Sequence, residues 1–169
     1  MKTPFKNLVA SSLFLLAVHT GATAATPAPE FIQLTGWLNS APLSIASQRG
    51  KVVLVEFWTY SCINCLRNLP HVSKWHDQYK AQGLSVVGIH TPEYPFEKEP
   101  RNVAAAVKRL DVHYPVAQDN QYATWNAFSN KYWPAVYLID RKGTIRYQHF
   151  GEGRYKETDQ AIRQLLAEE

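Results

Sequence analysis

Two cysteines stand two residues apart in Ser61-Cys62-Ile63-Asn64-Cys65, and they are the only cysteines of the 169-residue chain. The thiolate, not the thiol, attacks sulfur, so the chemistry depends on what stabilises negative charge there. Upstream, Lys51 to Trp58 is a near-continuous apolar, β-branched run, the pattern of a strand covered on both faces. Downstream, Leu66, Leu69, Val72, Trp75, His76 and Tyr79 recur at helical spacing toward Gly83. The pair therefore falls where a strand hands over to a helix. Unpaired N–H groups and the positive end of the helix dipole favour a thiolate on Cys62, with a pKa expected below the free value of roughly 8.5. Cys65, one turn further in, is expected to be more buried and to act as the resolving thiol of a mixed disulfide. The spacing puts both sulfurs on one face, within reach of a disulfide.

Other uses of a cysteine pair fit less well. A structural zinc site needs four ligands, with a second Cys or His pair at short spacing, and His71, His76, His90, His113 and His149 form none. Copper carriers favour sulfur and imidazole, yet the only methionine is Met1. A purely structural bridge closing so short a loop restricts the unfolded chain very little. No metal is expected.

The positioning elements follow from the pattern. Leu84 to His90 is a second apolar strand, so strand, helix and strand form a βαβ unit with a parallel pair. Pro100 opens a short amphipathic helix through Val103, Val107 and Leu110. An extended Tyr114 to Ala117 and a helical turn from Tyr122 to Phe128 complete what looks like an insertion. Ala135 to Ile139, a turn at Asp140 to Gly143, and Thr144 to Phe150 read as a β-hairpin. A last helix from Tyr155 carries Ile162, Leu165 and Leu166 inward, and Phe31 to Ile45 is expected to form an N-terminal hairpin or edge strands around Pro42. No repeat or linker divides residues 25–169, so one domain is expected there.

Phe57-Trp58, Cys62-Ile-Asn-Cys65, Pro70 and Trp133-Pro134 together resemble the thioredoxin superfamily. The resemblance implies an α/β thioredoxin-like fold, a central mixed sheet flanked by helices. By the same resemblance Pro70 matches the proline of the active-site helix, Glu56 the buried acid that shuttles a proton to Cys65, and Pro134 the cis-proline facing the disulfide. Trp133 would then pair through its backbone with an incoming peptide strand. Trp58 and Tyr60, with Trp133, are expected to form an aromatic rim that touches substrate. Pro42-Leu-Ser-Ile-Ala, Gly50 to Val55 and the insertion over 92–128 look like the exported TlpA and ResA branch. His90-Thr-Pro-Glu-Tyr94, Tyr122-Ala-Thr-Trp125 and Tyr132-Trp-Pro-Ala135 are similar to the thioredoxin-like domain of DipZ-type proteins. His90, Glu93 and Tyr94 lie where open α/β sheets place their sites.

Residues 1–24 read as a signal peptide: Lys2 and Lys6, an apolar run from Leu8 to Val18, and Ala22-Thr23-Ala24 as the cleavage site. The run is shorter than the roughly 20 residues of a membrane span. Export, with a periplasmic location, is the expectation. The formal net charge of +4 falls by two once both leader lysines are gone, and no basic stripe suggests nucleic acid.

The chain thus reads as an exported thiol-disulfide oxidoreductase, acting on protein disulfides without a bound cofactor. It is expected to be a monomer recharged by a separate membrane-embedded thiol donor, with reduction the favoured direction. Ile63-Asn64 is neither the Gly-Pro of reducing thioredoxins nor the Pro-His of strongly oxidising DsbA-type proteins. The alternatives are a peroxiredoxin-like thiol peroxidase and a redox-inert binding module. Against the peroxidase, Trp58 stands where peroxiredoxins carry a proline.

Overall fold

A computed structural model describes residues 26–168. The leader expected over 1–24 lies outside the described residues. Among the described residues seven strands make one sheet: β1 (Thr26–Pro27), β2 (Trp37–Leu38), β3 (Val52–Trp58), β4 (Leu84–His90), β5 (Val116–Gln118), β6 (Ala135–Ile139) and β7 (Thr144–Phe150). Four helices accompany them: α1 (Ile63–Tyr79), α2 (Pro100–Arg109), α3 (Ala123–Ala127) and α4 (Tyr155–Ala167).

The strand order is β1-β7-β6-β3-β4-β5-β2. β3 pairs parallel with β4 and antiparallel with β6, so the sheet is mixed. The expected βαβ unit is β3-α1-β4, and the expected hairpin is β6-β7, with an irregularity between Leu138 and Ile139. Of the two arrangements expected for Phe31 to Ile45, the edge strand forms, as β2, and among the described residues the hairpin does not. β1 pairs with β7 at one edge, and β2 pairs with β5 at the other. Phe31 and Leu34 pack instead on the core between those edges, because burying them outweighs a local turn around Pro42.

All seven residues of β3 are buried, and strand alternation sorts them into two rows. Val52, Leu54 and Trp58 meet Cys65, Leu69, Val72, Trp75 and Tyr79 of α1, together with Val103 of α2 and Ile162 and Leu165 of α4. Val53, Val55 and Phe57 meet Trp125 and Phe128 and the N-terminal segment. Glu56 belongs to the first row. A charged residue type in a fully covered row is the feature of the sheet that most needs a reason.

Trp58 is corrected by this packing. Expected in a rim that touches substrate, it is fully buried, because the alternation that exposes nothing of β3 turns its indole beneath α1. Gly88 makes that possible. A Cβ there would stand 2.9 Å from Trp58 Nε1 and 3.0 Å from Tyr114 Cε2, both buried, so no larger side chain fits without moving them.

Candidate active site

Cys62 is the residue at which extended chain becomes helix α1, with φ −74° and ψ 115°. Its sulfur accepts the N–H of Cys65 at 3.3 Å, a hydrogen bond that satisfies one of the donors left free in the first turn. Cys62 is half-buried and Cys65 is fully buried, one turn along, both as free thiols. The Cys65 thiol and the N–H groups of Cys65 and Asn64 stabilise negative charge on Cys62 and bring its pKa down to about 7, against burial and the charge of Glu93. Burial, above all, pushes the Cys65 thiol far up, and the thiolate beside it and Glu56 add to that. One sulfur is thus poised to ionise near neutrality at the surface, with a protonated one beneath. Alkylation of the reduced protein by iodoacetamide should follow a titration with a midpoint near pH 7. A midpoint above eight would contradict this arrangement.

Glu56 lies below the same helix face. Asn68, three residues after Cys65, donates to Oε1 at 2.7 Å, and the Tyr114 hydroxyl donates to Oε2 at 2.9 Å. Desolvation dominates these two bonds and lifts the carboxyl pKa from 4.5 to about 7. The Trp133–Pro134 peptide is cis and opens β6, whose Ala135 pairs with Phe57 near the end of β3. The half-buried Trp133 indole donates to the Thr91 carbonyl at 3.0 Å and lies 4.2 Å from Trp125. Tyr60 stacks on His90 at 5.5 Å and donates to the Phe96 carbonyl at 3.1 Å. Pro70 is exposed within α1.

The residue that sequence reasoning passed over is Glu97. Its carboxylate, fully buried, accepts the Ser61 hydroxyl, adjacent to Cys62, and the N–H groups of Glu93 and Tyr94. Burial alone would raise its pKa, but these donors and the Thr59 hydroxyl outweigh it and hold the carboxyl below its ordinary value. The short 3₁₀ turn Pro95–Lys98 places it, Pro95 opening the turn and Glu97 closing a capping box with Tyr94. Next to it, His90 is fully buried with Nε2 3.2 Å from the Thr59 hydroxyl, and burial drops its pKa to about 4, so it is neutral. Tyr94 is half exposed, and Glu93 reaches the dithiol only through its charge.

Among the described residues no three His, Cys, Asp or Glu side chains gather as a metal site, and no helix is long and apolar enough to cross a membrane. A surface thiol of lowered pKa, a sealed thiol behind it and a buried acid under both can exchange a disulfide and move the accompanying proton. On this sheet, with a cis-proline opening the neighbouring strand, they make up a dithiol site of the thioredoxin-superfamily kind.

The comparisons agree. The Redoxin family model matches residues 23–166, and the chain belongs to that family. It is 55% identical over 142 residues to Protein DipZ of Mycobacterium tuberculosis, covering 82% of this chain but 20% of that protein. It is 30% identical over 142 residues to Thiol-disulfide oxidoreductase YkuV of Bacillus subtilis, covering 84% of this chain and 95% of YkuV. Among solved structures, a thiol-disulfide isomerase from Corynebacterium glutamicum superposes with a TM-score of 0.75 at 27% identity, covering 84% of this chain and 98% of that one. The chain spans about a fifth of the length of the DipZ proteins that it matches.

Proposed function

We propose that the chain reduces disulfides of partner proteins, with Cys62 as nucleophile and Cys65 as resolving thiol. The Cys62 thiolate attacks one sulfur of the partner's disulfide, forms a mixed disulfide and expels the other sulfur as a thiolate. Cys65, its proton passed to the Glu56 carboxylate, then attacks Cys62 Sγ and releases the second partner sulfur. The partner gains two electrons, and the chain is left with a Cys62–Cys65 disulfide that a thiol donor must reduce again. The observation that carries this reading is the pairing of a half-exposed sulfur with a fully buried one a turn behind it at a helix start. Residues around the cis Trp133–Pro134 peptide are proposed to receive the partner's backbone, and Tyr60 to line the approach.

The leader-like pattern of residues 1–24 supports export to the periplasm, where such a protein would act on other exported proteins. Recharging by a separate, membrane-embedded thiol donor belongs to the same proposal, since the Cys62–Cys65 disulfide must be reduced again after each turnover. The reduced full chain should reduce insulin disulfides and become oxidised in doing so, while consuming hydrogen peroxide no faster than an ordinary thiol. The opposite pattern would assign it peroxidase chemistry instead. A reduction potential near the −270 mV of thioredoxin would fix the reducing direction, and one near −120 mV the oxidising one.

A further inference from the structure

Among the described residues six large apolar side chains stand exposed: Ile32, Ile63, Tyr94, Phe96, Tyr132 and Phe150. Single exposed apolar residues are ordinary on a protein surface, but clustered ones mark contacts. Five of these six gather at one end of the sheet. β3 and β4 run in parallel and finish at Trp58 and His90, β6 starts at Ala135 beside Phe57, and β7 finishes at Phe150 opposite Ala135. Ile63 follows Cys62 beyond the end of β3, Tyr94 and Phe96 follow β4, and Tyr132 precedes β6.

The strand order sets β3 between β4 and β6, so the two aromatic groups flank the segment that carries Cys62. On the β4 side the Tyr94 and Phe96 rings stack at 5.6 Å and 4°, with Tyr60 6.3 Å from Phe96. On the β6 side the Tyr132 ring is 5.6 Å from Phe150. Glu97 fastens the first pair to the thiol: its buried carboxylate joins Ser61 to the backbone of Glu93 and Tyr94, and Tyr60 joins the Phe96 carbonyl. An aromatic pair held in water by a buried ionic latch is already ordered before anything binds it, which lowers the entropy lost on binding. Aromatic anchors of this kind dominate recognition surfaces.

We propose that the Tyr94/Phe96 and Tyr132/Phe150 pairs dock apolar side chains on either side of a substrate cysteine. The preferred substrate is then an extended polypeptide segment whose cysteine is flanked by large apolar residues. This rests on Cys62 being the nucleophile, and it names the substrate class of that site.

The test uses two synthetic peptides, Gly-Leu-Cys-Phe-Gly and Gly-Ser-Cys-Ser-Gly, each as a mixed disulfide with thionitrobenzoate. Attack of Cys62 on the peptide sulfur expels coloured thionitrobenzoate, and Cys65 then frees the peptide thiol. The reduced full chain should react with the apolar peptide roughly tenfold faster than with the serine peptide, the ratio that one well-buried anchor supplies. Phe96→Ser and Tyr132→Ser should each cut that ratio by about threefold, and together bring it near one, while Phe96→Leu retains it. A wild-type ratio near one, or a ratio untouched by both serine substitutions, overturns the proposal. Release of thionitrobenzoate from neither peptide overturns the thiol chemistry beneath it, a separate and recognisable result.

Discussion

Cys62→Ser should lower disulfide reduction by at least about a thousandfold, because a serine hydroxyl does not ionise near neutral pH and cannot open a disulfide. Cys65→Ser should behave differently. The first step survives, since Cys62 stays at the start of α1 with the N–H of residue 65 still aimed at its sulfur. The second step is lost, so the partner remains covalently attached. Incubating each variant with an oxidised protein and running non-reducing gels separates the two: an adduct with Cys65→Ser, none with Cys62→Ser. Equal adducts from both, or full turnover by either, would overturn the assignment of roles.

The second large effect joins stability to catalysis at Glu56. Its carboxyl titrates at about 7 in the folded protein and at 4.5 when free. Between those values the folded chain holds a proton that the unfolded chain has released, so stability falls as pH rises from 4.5 to about 7 and levels off above. The interval corresponds to about 3 kcal/mol. Glu56→Gln keeps groups that can bond Asn68 and Tyr114 but abolishes the titration. Urea unfolding of the reduced proteins at pH 4.5 and pH 8 should show the variant gaining about 3 kcal/mol on the wild type at the higher pH. The same variant should resolve mixed disulfides about a hundredfold more slowly, the usual size of a lost proton acceptor. Parallel pH curves together with normal resolution would leave Glu56 without a role. A gain in stability bought at the expense of rate is the signature of a group kept for chemistry.

The sequence made the frame of this site legible because the frame is local. The apolar run of β3, the helical spacing of α1 and the CxxC between them each lie within a few residues, and periodicity reads such patterns well. The partners of the site come from further away. Tyr114 reaches Glu56 across 58 residues, and nothing near Tyr114 marks it as a hydrogen-bond donor to β3. Asn68 did leave a trace, as a polar residue on the face shared by Cys65, Leu69 and Val72. Glu97 left one as well: a proline followed two residues later by an acid is how a capped turn begins. Trp58 shows the limit of reading by neighbourhood. Standing four residues before Cys62 in sequence, it is turned by strand alternation to the covered side of the sheet. Of the two N-terminal alternatives the edge strand formed and the hairpin did not, because turn chemistry at Pro42 says where the chain bends, not which strand it joins.

The short strands β1 and β2 cap opposite edges of the sheet, and only nine residues separate them in the chain. The stretch from Thr26 to Leu38 is therefore a strap across one face that covers the start of β7 at one border and β5 at the other. A form of the protein that lost this strap would present two unpaired rows of N–H and C=O groups on β7 and β5, the invitation to intermolecular pairing that leads to aggregation. Self-association and redox chemistry are thereby governed by different parts of the molecule, and a preparation can lose solubility while its thiols remain intact.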